Sequence, residues 1–127
     1  VWMEDIQELA AFKVAIDFNP NVLIFDGVSG GKNVINSSFN QLIVPNFSLQ
    51  SIKDDVNRTG RIIVNSAFLK SELSNESLSG SGKILNIRFI GKNLGTTKLE
   101  FTNIELRKLD GTIIFNKTPG IGTYSIK

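Results

Sequence analysis

The residue types that most often carry catalysis are missing from this sequence. Its 127 residues include neither cysteine nor histidine. A Ser–His–Asp triad, a cysteine nucleophile and an ordinary zinc site are therefore excluded. The 12 Asp plus Glu residues offer carboxylates for glycoside hydrolysis, but no spacing among them singles out a catalytic pair. The sequence favours a protein that is not an enzyme.

Three polar stretches resemble binding sites for phosphate or metal. Ser29-Gly30-Gly31-Lys32 and Gly80-Ser81-Gly82-Lys83 are rich in glycine, but neither has the two separated glycines, then Lys and Ser or Thr, that open the helix of a phosphate-binding loop. Asp54-Asp55-Val56-Asn57 offers side-chain oxygens without the spaced acidic pattern that calcium loops commonly use. We interpret all three as polar turns and expect no metal site and no cofactor.

The balance of charge limits the kind of partner. Fourteen Lys plus Arg residues against 12 Asp plus Glu give a net charge of +2, with both signs mixed along the chain. The longest basic cluster, Arg107-Lys108, is too small to follow a phosphate backbone. No apolar run approaches the roughly 18 residues of a membrane-spanning helix. We expect neither nucleic-acid binding nor membrane insertion.

Apolar and polar residues alternate with a period of two along most of the chain, which predicts β-strands. Turns that contain glycine, asparagine or proline separate them. The predicted strands cover residues 10–18, 22–28, 38–44, 47–52, 61–68, 83–90, 96–107, 111–116 and 122–127. Many short strands in a chain of this length predict one all-β domain spanning residues 1–127, a sandwich or jelly roll.

Two stretches lack this alternation and are candidates for short helices. Residues 2–9 and residues 71–78 are each of a length at which isolated helices are marginal. We predict instead that residues 1–3 end a strand and that residues 71–78 form a single turn between strands.

The strand at 10–18 stops abruptly at Asn19-Pro20-Asn21, and a new apolar run follows. Pro20 fixes its own φ and restricts the preceding residue to extended geometry, which turns the chain sharply. We predict that Phe18 and Leu23, on either side of this proline corner, both lie in the core.

In the second half of the chain the alternation slips by one position within a single predicted strand. Leu99 and Phe101 share one face, whereas Ile104 and Leu106 would fall on the other. A β-bulge near Thr102-Asn103 would return all four side chains to the core side.

Three stretches together resemble the cohesin modules, which are bacterial domains that hold dockerin-bearing proteins in cellulosomes and in multimodular secreted glycosidases. The first is Phe18-Asn19-Pro20-Asn21-Val22-Leu23, which matches that family's aromatic, Asp or Asn, Pro, two variable residues and Leu. The second, residues 82–89 (GKILNIRF), resembles a glycine-led strand of the family. The third joins a bulged strand at 97–106 to the turn Leu109-Asp110-Gly111. The resemblance covers most of the chain.

The resemblance implies a fold and a function. The fold is an all-β, nine-stranded jelly-roll β-sandwich of the cohesin type, whose first strand pairs with the last. That first strand should precede Val1, and we expect it to be missing from this chain. The function is non-catalytic: a dockerin-type partner, which carries the calcium of the system, is bound to assemble extracellular glycoside-degrading complexes. We therefore expect a secreted or cell-surface bacterial module that is monomeric on its own.

The resemblance also places the partner across the face formed by the strands at 10–18, 61–68, 83–90 and 111–116. Alternation along these strands then nominates their outward residues for partner binding. The nominated residues are Lys13, Ala15, Asp17, Ile63, Asn65, Ala67, Asn86, Arg88, Ile90, Ile114 and Asn116. In the strand at 61–68, Ile62 and Ile63 fit either face.

The alternative function, from a different class, is that of a carbohydrate-binding module, because such modules of secreted enzymes share the sandwich plan. Glycan platforms stack sugar rings on exposed aromatic faces, and the sequence has a single Trp, Trp2, and a single Tyr, Tyr124. Most of its Phe residues fall at core positions. A purely structural spacer or adhesin domain is a third hypothesis. The scarcity of exposed aromatic residues favours protein binding over glycan binding.

Overall fold

Strands predominate in the computed structural model, which describes residues 1–30, 49–67, 78–108, 110–114 and 120–127. Within these residues, eight strands and one helix follow one another along the chain. In order they are β1 (Trp2–Leu9), β2 (Ala11–Asp17), β3 (Leu23–Gly30), α1 (Gln50–Thr59), β4 (Arg61–Ala67), β5 (Leu78–Lys83), β6 (Leu85–Gly91), β7 (Gly95–Arg107) and β8 (Gly122–Ile126). The all-β prediction is confirmed. The strand predicted at 38–44 and nearly all of the turn predicted at 71–78 lie outside the described residues.

The strands described here pair in antiparallel fashion and form three sheets. The largest has the order β4-β2-β7-β8, and two smaller sheets pair β1 with β5 and β3 with β6. A single residue, Ile84, separates β5 from β6. One cluster of buried side chains draws on all three sheets, which is the arrangement of a β-sandwich. The nine-strand count, with a first strand before Val1, stays a prediction.

β2 lies at the centre of the largest sheet, because both β4 and β7 pair with it along its whole length. Its residues Phe12, Val14 and Ile16 are 3%, 1% and 4% exposed. The residues that alternate with them point to the other side of the sheet. One strand therefore supplies both a part of the core and the middle of an exposed face.

The predicted bulge in β7 is confirmed. Ala15 of β2 lies opposite Asn103, whereas the next residue, Ile16, lies opposite Phe101, so Thr102 is the extra residue. The bulge moves the alternation of β7 by one position. The apolar residues on both sides of it therefore contact the core: Leu99, Phe101, Ile104 and Leu106.

β1 differs from its prediction, because the strand continues as far as Leu9. Its buried residues Met3, Ile6 and Leu9 are three positions apart, a spacing that resembles a helix. The pairing with β5 is irregular twice, once between Met3 and Ile6 and once between Ile6 and Leu9. These irregularities turn all three side chains toward the core. Glu8, within the second interval, has a φ of 57°.

The helix α1 is the largest departure from the predicted secondary structure. The sequence predicts a strand at 47–52 and a polar turn at 54–57, whereas α1 begins at Gln50, within the predicted strand, and includes the whole of the predicted turn. Ile52 and Val56, one helical turn apart, both contact the core. Gly60 then ends the helix in the left-handed conformation, with a φ of 72°. An apolar pair at this spacing followed by glycine is a helix signal, but most of the other residues are polar.

The proline corner forms as predicted. The backbone N–H groups of Val22 and Leu23 both donate to the carbonyl oxygen of Asn19, at 3.1 Å each. Phe18 and Leu23 are both buried. The ring of Phe18 meets the ring of Phe89 edge to face, with centroids 5.1 Å apart. The corner is thus anchored in the core on both of its sides.

One side chain of α1 fastens the helix to β3. Asn57 Nδ2 donates to the carbonyl oxygen of Phe25 at 3.1 Å, and the N–H of Phe25 donates to Asn57 Oδ1 at 2.7 Å. A single amide thus satisfies both backbone groups of a buried strand residue, as a neighbouring strand would. The side-chain oxygen of Asn57 therefore has a structural partner within the fold.

We predict that Gly60→Ala destabilises the protein by about 2–4 kcal/mol. A Cβ at this position would lie 2.5 Å from the carbonyl oxygen of Phe18 and 2.9 Å from Cδ of Pro20, on a backbone that is already left-handed. Gly111→Ala is the matched control, because its φ is 84° but a Cβ there would meet nothing within 4 Å. Only the backbone strain of about 1–2 kcal/mol applies to the control. Chemical denaturation measures both, and equal losses would contradict a steric contact at the corner.

Asn57→Ala should destabilise the protein by about 1–3 kcal/mol, because it removes both hydrogen bonds that the Asn57 amide makes to the backbone of Phe25. Asp54→Ala is the control on the same helix, since Asp54 is exposed and, among the described residues, accepts a hydrogen bond from the Gln50 side chain alone. We expect the control to change the free energy of unfolding by no more than about 0.5 kcal/mol. If both variants unfold at the same denaturant concentration, water replaces the Asn57 amide at β3.

Candidate functional site

The outward face of the largest sheet contains five of the nominated residues. Side chains directly opposite each other in paired strands share a face, so the register arranges this surface in rows across β4, β2 and β7. We call it the β2 face. Its three central rows are Arg61, Asp17 and Glu100; Ile63, Ala15 and Asn103; and Asn65, Lys13 and Glu105.

The ambiguity along β4 is resolved by burial. Ile62 is fully buried, whereas Ile63 is 47% exposed and lies opposite Ala15. Ile63 and the residues that alternate with it along β4 therefore point outward, as nominated. At the end of the same strand, the backbone of Ala67 pairs with Ala11.

β7 contributes one residue to each of the three central rows of the β2 face. The sequence analysis did not include this strand in the proposed face. Glu100, Asn103 and Glu105 each lie directly opposite a nominated residue of β2. The bulge at Thr102 is the signal that could have found them, because polar residues on both of its sides then point outward. The sequence carries no local signal that makes β7 the neighbour of β2.

Three nominated residues lie in a different sheet. Asn86, Arg88 and Ile90 are exposed, as their alternation predicts, but they belong to β6, which pairs with β3. The neighbours of β2 are β4 and β7. The expected position of the strand at 83–90 on the same face as the strand at 10–18 is therefore wrong. Alternation determines which side of a strand a residue occupies, but not which strands are neighbours.

The expected outward position of Ile114 is also wrong. Its backbone N–H donates to the carbonyl oxygen of Leu106 at 2.8 Å, and its side chain packs against the core. The preceding residue, Ile113, forms an isolated β-bridge with Arg107 and is 64% exposed. Ile113 therefore joins the outward residues of β7, one position out of phase with the prediction. Asn116 lies outside the described residues.

Two ion pairs organise the charges of the β2 face. Arg61 holds Asp17 through two hydrogen bonds, from Nε to Oδ1 at 2.7 Å and from a terminal nitrogen to Oδ2 at 2.8 Å. The hydrogen bond from Arg61 lowers the pKa of the Asp17 carboxyl; the charge of Arg61 and a hydrogen bond from Thr102 add to this, and desolvation opposes it. On β7, Arg107 donates to Glu105 at 3.0 Å.

The centre of the β2 face is shallow. Ala15 points outward but is only 5% exposed, because Ile63 and Asn103 carry longer side chains on either side of it. The hydroxyl of Thr102 also donates to the carbonyl oxygen of Ala15, at 3.4 Å. The result is a small apolar depression in the middle of a polar face.

Two features are absent from the residues that the structure describes. No group of three or more His, Cys, Asp or Glu side chains among them is arranged to hold a metal ion. No helix in the same part of the chain is long and apolar enough to cross a membrane.

Antiparallel sheets around one core, with a regular exposed face, define this chain as a β-sandwich module. Its particular fold is that of the cohesin modules. A non-cellulosomal cohesin from the hyperthermophilic archaeon Archaeoglobus fulgidus matches with a TM-score of 0.71 at 18% identity, and the match covers 99% of this chain and 76% of that one. No protein-family model and no curated protein sequence matches the chain.

Two further structures share the fold at low identity. The cohesin module of a family 33 glycoside hydrolase from Clostridium perfringens is 12% identical, with a TM-score of 0.61 over 94% of this chain and 73% of that one. A type I cohesin–dockerin complex from Clostridium thermocellum matches at 14% identity, with a TM-score of 0.63 over 94% of this chain and 79% of that one. The likeness therefore lies in the fold, which very different sequences adopt.

We predict that Asp17 titrates below the ordinary value of 3.8, because Arg61 stabilises its charged form. The stability that this pair contributes is present above the ordinary pKa and is lost as the pH falls through the lowered one. Arg61→Gln should return the midpoint toward 3.8, as followed by NMR of the carboxyl carbon. Asp110 is the internal control, because hydrogen bonds from Thr112 lower its pKa independently of Arg61. An Asp17 midpoint that does not move in the variant would contradict the bidentate pair.

Proposed function

We propose that this chain is a non-catalytic interaction module that binds a dockerin-type partner. The cohesin fold supports the proposal, since one of the structures that share it is a cohesin–dockerin complex. The observation that carries it is the β2 face, an exposed sheet surface with an apolar centre and charged rows on both sides. Apolar centres surrounded by polar rims are typical of protein interfaces.

We propose the β2 face as the interface. Ile63 is an exposed apolar residue at the centre of this face and lies beside the depression at Ala15, the type of central feature that carries binding energy in many interfaces. The backbone groups of β2 are paired on both of its edges, so the partner contacts side chains and does not add a strand there. The residues assigned to the interface are Lys13, Ala15, Asp17, Ile63 and Asn65, with Glu100, Asn103, Glu105, Arg107 and Ile113 added from β7 and its neighbour.

The setting that we propose is extracellular and bacterial. The chain would act as one module of residues 1–127, monomeric on its own, in a protein that assembles glycoside-degrading complexes, with the calcium carried by the dockerin. The fold shared with a cohesin of a glycoside hydrolase supports this setting. The same fold also occurs in a non-cellulosomal archaeal cohesin, so the assembly itself has to be tested separately from dockerin binding.

Carbohydrate binding is less well supported. Trp2 and Tyr124 are 48% and 52% exposed, which gives two candidates for stacking on sugar rings. They lie on β1 and β8, however, and these strands belong to different sheets. The described aromatic residues therefore do not form a continuous stacking row on one sheet.

The proposed function is tested by capture from the secreted proteins of the source organism. The immobilised chain is incubated with these proteins in calcium and, in parallel, with a chelator, and the bound proteins are identified by mass spectrometry. We expect dockerin-bearing proteins in the calcium sample and their loss with chelator. Recovery of no dockerin-bearing protein under either condition would contradict the proposal.

Ile63→Asp should weaken binding of a captured dockerin at least ~30-fold, because a buried carboxylate without a partner replaces the apolar centre of the interface. Ile90→Asp is the matched control: Ile90 is exposed to a similar degree, 51% against 47%, but lies on β6. Titration calorimetry should show unchanged affinity for the control, and circular dichroism should show both variants folded. If Ile90→Asp weakens binding and Ile63→Asp does not, the partner uses the sheet of β3 and β6.

A further inference from the structure

Within the part of the chain that the structure describes, two charges on the β2 face lack an ion pair. Asp17 and Glu105 are held by arginines, and neither Lys13 nor Glu100 forms an ion pair within the described residues. Lys13 lies opposite Glu105, but the Glu105 carboxylate is bound by Arg107, two residues further along β7. Both unpaired side chains are half-buried.

These two charges have opposite signs and lie on opposite sides of the central row of the β2 face, which contains Ile63, Ala15 and Asn103. Glu100 is in the row of Asp17, and Lys13 is two rows away along β2. Four strand residues span roughly 13 Å. The row between them contains Ile63 and Ala15. A further lysine, Lys98, is the next outward residue of β7, but it lies past the end of β2, where β8 pairs with β7.

The spacing of the rows matches the repeat of an α-helix laid along β2. Rows of outward residues repeat at roughly 6.7 Å along a strand, and residues at i and i+4 of a helix are about 6 Å apart along its axis. Three helix positions, i, i+4 and i+8, can therefore stand over the three central rows. A helix lying in either direction satisfies the same pattern.

Resting on the proposed interaction function, we infer that the partner presents a helix whose charges complement these two residues. A carboxylate stands over Lys13, an apolar side chain fills the depression at Ala15, and a cation stands over Glu100. A covering partner removes water from both half-buried charges, so leaving either one unpaired opposes binding. Like-charge contacts at these positions exclude other helices, which makes Lys13 and Glu100 determinants of partner choice.

The test uses four side-chain-cross-linked helical peptides, because short free helices are marginal in water. All carry Leu at the middle position. The outer two positions, i and i+8, carry Glu and Lys, Lys and Glu, two Glu or two Lys. Affinities are measured by NMR titration of the backbone amides of β2, β4 and β7. We expect both mixed peptides to bind about fivefold more tightly than either peptide with like charges.

A charge reversal in the protein makes the test specific. Lys13→Glu should make the peptide with two Lys the tightest of the four, because both ends of the face are then negative. Lys83→Glu is the matched control, since it makes the same change of charge on exposed Lys83 of β5 and should keep the order found with the unchanged protein. Raising the salt concentration should reduce all of these differences.

Equal affinities for the four peptides, an unchanged order in Lys13→Glu, or shifts that spare the β2 face would each overturn the inference. Such a result alongside calcium-dependent capture of dockerins would leave the proposed function standing and remove only the charge complementarity. Failure of that capture would instead count against the proposed function, whatever order the peptides show.

Discussion

The close approach of the proline corner to Gly60 constrains the rest of this structure. The N–H of Phe18 donates to the carbonyl oxygen of Gly60 at 2.8 Å, and no side chain fits between them. The N–H of Asn19 donates to the hydroxyl of Thr97 at 2.8 Å, and the turn after β6 donates to the carbonyl oxygen of Val22. Segments far apart in the sequence therefore meet at one short stretch, and the end of α1, the start of β4 and the start of β7 are all positioned by it.

This contact also sets the register of the exposed face. Arg61 follows Gly60 directly and Asp17 precedes Phe18, so the ion pair that begins the β2–β4 pairing lies one residue from the corner. Because the side-chain period of a strand is two, each later row follows from the first. A shift of one residue at the corner would turn Ile63 into the core and bring buried residues to the surface. The geometry of the proposed interface is thus inherited from the packing of the corner.

The sequence predicts best those features that depend on neighbours along the chain. The proline corner, the two faces of β2 and the bulge at Thr102 all follow from local alternation and from the restriction that proline imposes. The sequence does not predict α1, because its apolar face consists of little more than Ile52 and Val56. It does not predict the full length of β1, because the irregular pairing places buried residues three positions apart, which is not the alternation of a regular strand. The neighbours of β2 depend on contacts between distant segments, which alternation does not contain, so the residues of β6 were assigned to the wrong sheet. The prediction for Ile114 is wrong for a related reason, because the single β-bridge between Ile113 and Arg107 determines which of these neighbours points outward.

A sheet face and a sheet corner place different demands on their residues. The outward residues of β2 and β4 stand on strands whose backbone hydrogen bonds are already made within the sheet, so exchanging their side chains leaves the ladder intact. The corner has no such freedom, because Gly60 meets backbone and proline atoms directly. The binding preference that we propose for Lys13 and Glu100 can therefore change while the corner keeps the register that positions these residues. That division is consistent with a fold that this chain shares with the structures compared above at 12–18% identity, since few positions determine the frame and many are free to vary.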